Sequence, residues 1–155
     1  MDRRLKMSDK GAYFYLSGEP VVKKNNRPIF TNSKTKRPFV GKGPKLVAAE
    51  KDIKNQILAQ WKGQTMLGYL KVTFQVFLDH NRVKDVTNCW EIYADCLQDM
   101  KVIGDDNQIV HITQIKWRYP KGTKISRIIP GVSILIEPFD VAAFKLHDAG
   151  LPCLN

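Results

Sequence analysis

An α+β domain, a small mixed β-sheet with two main helices packed on it, is what this sequence predicts. Apolar residues recur at three- and four-residue spacing over 44–63 and again over 85–100, which is the helical period. Between them Leu70, Val72, Phe74, Val76 and Leu78 alternate with Lys71, Thr73 and Gln75, the period of a half-buried strand. Further strand-like segments stand before and after. The chain has 155 residues, 43% of them hydrophobic, which is material for one core and not two. It reads as a single domain over 1–155, with its body at about 12–138 and a C-terminal tail at 139–155.

The first strand is expected from Ala12 to Val22, with Tyr13 and Tyr15 on one face and Phe14 and Leu16 on the other. Arg27-Pro28-Ile29-Phe30 and Arg37-Pro38-Phe39-Val40 then repeat one pattern around the polar Thr31–Lys36, which predicts a short basic hairpin. Its prolines keep it at an edge, because each removes a ladder donor. Gly43-Pro44 opens the first helix with proline in its first turn, and Leu46, Ala49, Ile53, Ile57 and Trp61 form its apolar stripe up to Gly63. After the strand at 70–78, Asp79–Lys84 is a polar loop. The second helix starts at Asp85 or Thr87 and runs to Met100, with Trp90, Tyr93, Ala94, Leu97 and Met100 on its apolar side and Asn88, Glu91, Asp95 and Gln98 opposite. Gln108–Arg118 and Val132–Glu137 are two more strands joined by a loop with Lys121, Lys124 and Arg127. A short helix is expected in the final residues, without a function.

Twenty-five Lys and Arg face fifteen Asp and Glu, a net charge of +10. The excess is N-terminal: residues 1–62 hold fifteen basic and five acidic side chains, whereas 63–155 hold ten of each. Lys23, Lys24, Arg27, Lys34, Lys36, Arg37, Lys42 and Lys45 lie between Pro20 and Lys45 without a carboxylate, and seven acids crowd into Asp79–Asp106. Unneutralised basic clusters attract polyanions and release their counterions, so nucleic acid is the first partner to consider. Lys23, Lys24, Arg27, Lys34, Lys36, Arg37 and Lys84 are the candidate phosphate contacts, and Tyr13, Tyr15 and Phe39 interleave with them as possible base-stacking groups.

Other classes are set aside. No apolar stretch approaches the ~20 residues of a bilayer-crossing helix, so no membrane partner is expected. The N-terminus lacks the apolar segment of a secretory signal, which points to the cytosol. Lys42-Gly43-Pro44-Lys45 is too short for a phosphate-cradling loop, so no nucleoside triphosphate is expected. Cys89, Cys96 and Cys153 show no metal-ligand spacing; the first two, seven apart on one helix, are too distant for a disulfide and read as small buried apolar groups.

Phosphodiester cleavage needs the phosphoryl charge neutralised and a water activated, and carboxylates around magnesium supply both. The sequence offers Asp85 where the second helix begins, Glu91 and Asp95 further along it, and the pair Asp105-Asp106 beyond its end. Three pieces, in order, resemble the RusA family of Holliday junction resolvases. They are Pro20-Val21-Val22-Lys23-Lys24-Asn25-Asn26-Arg27; Asp85-Val86-Thr87-Asn88 followed by Ala94-Asp95-Cys96-Leu97-Gln98, similar to Asp-x-Asp-Asn-x-x-Lys running into Leu-Asp-Ala-Leu; and Val102-Ile103-Gly104-Asp105-Asp106-Asn107-Gln108-Ile109, similar to Val-x-x-Asp-Asp-Ser-Gln-Ile. Ile115-Lys116 and the strand from Gly131 to Glu137 extend the resemblance over roughly 12–138.

That resemblance implies a homodimeric, magnesium-dependent endonuclease acting on four-way DNA junctions, with manganese as a possible substitute ion. Asp85 and Asp106 then correspond to metal ligands, Asp105 supports them, and Asn88 and Asp95 match the helix asparagine and aspartate. Two positions depart from the family pattern. Thr87 stands where the family has its second aspartate, and Glu91 stands where it has lysine. Glu91, one turn beyond Asn88, is a candidate substitute ligand, Thr87 a candidate holder of a metal-bound water, and Lys84 or Lys101 a candidate cation. Phe74, Phe77, Trp90 and Trp117 are candidates for a dimer interface. The alternatives are a catalytically inactive relative that binds branched DNA, and a basic nucleic-acid-binding module without junction preference. The nuclease reading requires Asp85 and Asp106 to converge on one side of the molecule.

Overall fold

A computed structural model describes residues 11–23, 28–78, 85–117 and 129–141. Its elements are β1 (Ala12–Ser17), β2 (Ile29–Thr31), β3 (Pro38–Val40), α1 (Pro44–Gln60), β4 (Leu70–Phe77), α2 (Val86–Asp99), β5 (Ile109–Trp117) and β6 (Gly131–Pro138), with one 3-10 turn at Asp106–Gln108. Four strands form a mixed sheet in the order β1-β6-β4-β5, and β2 with β3 forms a separate two-stranded ribbon. The small mixed sheet with two helices expected from the sequence is therefore the architecture.

The alternation in β4 sets the layers. Leu70, Val72, Phe74 and Val76 are buried beneath the helices, while Lys71, Thr73, Gln75 and Phe77 are half-buried on the opposite face. Phe74 meets Trp90 edge-on at 5.1 Å and Tyr93 at 5.4 Å, which seats α2 on the sheet. Leu46, Ile53 and Ile57 bring α1 onto the same core, and Phe14 from β1 packs against Trp61. Cys89 and Cys96 are both buried, as expected of small apolar groups, and burial pushes the Cys96 thiol up to about 12, so Cys96 is not a reactive group. A Lys54–Asp99 ion pair of 2.7 Å joins α1 to α2. No described helix is long and apolar enough to cross a membrane.

Topology departs from the chain order in one respect. β5 runs parallel to β4, and α2 makes the crossover between them. β6 lies between β1 and β4, antiparallel to both. Its near-continuous apolar run, with Val132, Ile134 and Ile136 fully buried, suits a central strand and not an edge. The first strand is shorter than expected and stops at Ser17, because Gly18 takes a φ of +112°. Val21 and Val22 still pack against the core without being strand.

The two sheet edges are treated differently. Along β1, Gln60 accepts from the amide of Tyr15 (3.1 Å) and donates to its carbonyl (2.9 Å), and Gln56 does the same for Ser17 (2.8 and 3.0 Å). Two side chains of α1 thus stand in for a neighbouring strand. Along β5 no described strand pairs with the outer edge, and Val110, Ile112 and Trp117 are exposed there. Phe74 cannot serve a dimer interface as expected, because it is fully buried. Trp90 is half-buried against it, whereas Phe77 and Trp117 stack in parallel on the open face of the sheet.

Candidate functional site

Asp85 is the N-cap of α2. Its Oδ1 accepts from the Thr87 amide at 3.0 Å and its Oδ2 from the Asn88 side chain at 2.8 Å, so the carboxylate satisfies the helix start and is itself held in place. The Thr87 hydroxyl donates to Oε1 of Gln114 at 3.1 Å. That bond fixes the start of α2 over the second half of β5.

The acidic pair is also a turn. Asp105 caps the 3-10 turn by accepting from the Asn107 amide at 2.8 Å, and Oε1 of Gln108 accepts from the amides of Gly104 (2.7 Å) and Asp105 (3.0 Å). The same Gln108 side chain donates to the carbonyls of Met66 (3.2 Å) and Gly68 (2.9 Å), which ties the acidic corner to the segment just before β4. Asp105 and Asp106 are exposed, and Asp105 lines an open cavity with Gly68, Tyr69, Asn107 and Gln108.

These two corners lie at opposite ends of the sheet. Asp85 precedes α2 and Asp105 follows it, and the 14 residues between the helix ends span about 21 Å at 1.5 Å per residue. The chain does not double back, because Ile103 bridges Met66 and Ile109 pairs with Leu70 at the beginning of β4. The strand gives the same answer: from Gln114, beside Thr87, to Ile109 is five residues, about 16 Å at ~3.3 Å each. Magnesium holds its oxygens at about 2 Å, and paired ions sit only about 4 Å apart, so carboxylates this distant share neither arrangement. Among the described residues no three His, Cys, Asp or Glu side chains come together as a metal site. Within one chain Asp85 and Asp106 therefore do not converge as expected, and these two carboxylates do not share a magnesium ion.

Glu91 remains at the Asp85 end. It is half-buried on α2, three residues past Asn88 and so one turn from it along the same side of the helix. Thr87 is engaged with Gln114, and Lys101, exposed at φ +58° past the end of α2, belongs to the Asp105 end.

The basic residues separate into groups. Lys23 is ion-paired with Asp95 of α2 and its side chain is only 14% exposed, so it braces the core more than it offers charge to a partner. Lys34, Lys36 and Arg37 are exposed at the tip of the β2–β3 ribbon, with Phe30 and Phe39 behind them. Lys24, Arg27 and Lys84 lie outside the described residues, as do Lys121, Lys124 and Arg127 and the segment where a short C-terminal helix is expected. The sequence reading missed the work of Gln114 and Gln108. Only Gln108 had a local signal, three residues after Asp105 in capping-box spacing.

No protein-family model matches the chain, and no curated protein sequence matches it.

Proposed function

We propose that this protein is a homodimeric, magnesium-dependent endonuclease selective for four-way DNA junctions, with each site assembled from two chains. What supports this reading is the motif resemblance at Asp85-Val86-Thr87-Asn88 and Val102–Ile109; these two corners stand at the two ends of a parallel strand pair whose outer edge carries no described strand, so a shared site takes two chains. Antiparallel pairing of two β5 edges about a twofold axis sets the Gln114 end of one strand beside the Ile109 end of the other. Asp85 and Glu91 of one chain then face Asp105 and Asp106 of its partner, twice. A four-way junction presents two equivalent strands, and two such centres answer that symmetry. The capped β1 edge leaves β5 as the described edge at which a second copy can add. When bound, magnesium would supply phosphate charge neutralisation and water activation. Resemblance to the RusA motifs and the basic ribbon support the choice of substrate.

A second reading has its own observation. Asp85 and Asp105 both spend oxygens on backbone caps, and Thr87 spends its hydroxyl on Gln114, which suits a branched-DNA-binding dimer without cleavage. A synthetic four-way junction and a linear duplex of equal length, with and without magnesium, separate these readings. Junction cleavage supports the first, a junction-selective shift without cleavage supports the second, and equal shifts of both substrates leave only a basic binding module.

A further inference from the structure

The β2–β3 ribbon stands apart from the four-stranded sheet and has no described strand beside it. Phe30 pairs directly with Phe39, and their rings stack at 5.7 Å with an interplanar angle of 29°. On the reverse face Ile29 pairs with Val40. All four remain exposed, Ile29 to 73%, Val40 to 63%, Phe39 to 50% and Phe30 to 39%. Isolated two-stranded ribbons are marginal in water, and such apolar exposure on one calls for a partner.

The tip is nevertheless built. Asn32 exchanges backbone hydrogen bonds with Arg37 (3.0 Å) and Lys36 (2.9 Å), its Oδ1 accepts from the amides of Lys34 (2.9 Å) and Thr35 (3.0 Å), and Lys36 turns the chain at φ +59°. At the base, Gly41 donates to the Pro28 carbonyl at 3.1 Å, and a side chain there would strike the Phe30 ring at 2.7 Å. Lys34, Lys36 and Arg37 are thereby presented together, and no carboxylate lies between Pro20 and Lys45. A second copy of this tip would be repelled. A ligand that combines dense negative charge with flat apolar faces is a nucleic acid whose bases are exposed.

We propose that the ribbon is a wedge for opened DNA: its cationic tip engages backbone phosphates while Phe30 and Phe39 stack on unpaired bases at the crossover. This rests on the reading of branched DNA as the substrate, and it names the element that makes the branch recognisable. In a continuous duplex the bases are already stacked, so the phenylalanines gain nothing there.

The test uses the full chain and a four-way junction with 2-aminopurine at the crossover, beside a paired duplex of the same sequence. Binding should raise the fluorescence of the junction and not of the duplex. Phe30→Leu with Phe39→Leu keeps the apolar bulk and removes the stacking. It should weaken junction binding about tenfold, the lower end of what one base–aromatic stack contributes, and abolish the fluorescence rise. Phe30→Tyr with Phe39→Tyr should restore both, which excludes misfolding as the cause. Replacing Lys34, Lys36 and Arg37 with Gln should lower the salt slope of binding by up to about 3. Junction binding that is unchanged in the Leu variant, with no fluorescence change for the unmodified chain, overturns the wedge and leaves the DNA reading standing. Absence of any DNA binding by the unmodified chain removes both, and binding of poly-glutamate as tight as that of the junction assigns the ribbon to an acidic protein instead.

Discussion

Thr87, in the first turn of α2, donates its hydroxyl to the side chain of Gln114 in the second half of β5, 27 positions along the chain. This bond locates the Asp85 corner along the edge strand and so determines which acidic groups can meet.

Mixing two inactive variants tests the shared site. Asp85→Asn and Asp106→Asn should each lose cleavage alone, whereas subunit exchange between them should restore nicking of one strand, since one of the two centres in the mixed dimer keeps both carboxylates. A mixture as inactive as its components is the outcome that sinks the proposal. Glu91→Gln should lower magnesium-dependent cleavage in the same assay, and full activity would remove Glu91 from the site.

Dimerisation through β5 predicts the effect of charge on that edge. Ile112→Lys places an ammonium beside Val110 on that edge strand, and should shift light-scattering mass from twice 17.7 kDa to the single-chain value without altering the circular dichroism spectrum. A dimer that persists puts the interface elsewhere.

Asp85 has a capping role separable from any chemistry. Asp85→Ala should cost about 1 kcal/mol of stability through loss of the N-cap, while Asp85→Asn keeps an acceptor for the Thr87 amide and should cost little. Urea denaturation of the two variants measures the difference, and equal losses would show that the cap is not what the carboxylate contributes.

The glutamines over β1 should matter beyond their own bonds. Gln56→Ala with Gln60→Ala leaves the amides and carbonyls of Tyr15 and Ser17 to solvent, at about 1–2 kcal/mol in total, and exposes a second pairing edge. Denaturation and concentration-dependent light scattering should both respond. Unchanged stability would mean that water replaces these contacts in full.

Lys54 and Asp99 give a pH dependence with a definite sign. Hydrogen bonding to Lys54 holds the Asp99 carboxyl below its ordinary value, and the same bond raises Lys54 above its own. The lowered carboxyl stabilises the fold above the ordinary carboxylate value, near pH 4, and that contribution is lost as pH falls from there through the lower folded-state value. The raised amine stabilises below about 10.4 and is lost as pH rises past its folded value. The pair therefore stabilises at neutral pH, by well under 1 kcal/mol because Asp99 is exposed. A double-mutant cycle with Asp99→Asn and Lys54→Met should give coupling at pH 7 that fades as the carboxyl is protonated in acid, and coupling that is the same at pH 7 and in strong acid would contradict the pairing.

Local chemistry alone determined much of this protein. Period-two alternation over 70–78 and the Pro44 and Asp85 helix starts are written in neighbouring residues, and so is the basic hairpin around Asn32, because each depends on backbone geometry within a few positions. The tertiary structure decided everything that depends on which strands lie together. It placed β6 between β1 and β4, set Asp85 and Asp106 at opposite ends of one strand pair, paired Lys23 with Asp95, and covered one sheet edge with Gln56 and Gln60. Those relations arise between residues tens of positions apart, where strand order fixes the distance between side chains and no short-range pattern encodes it.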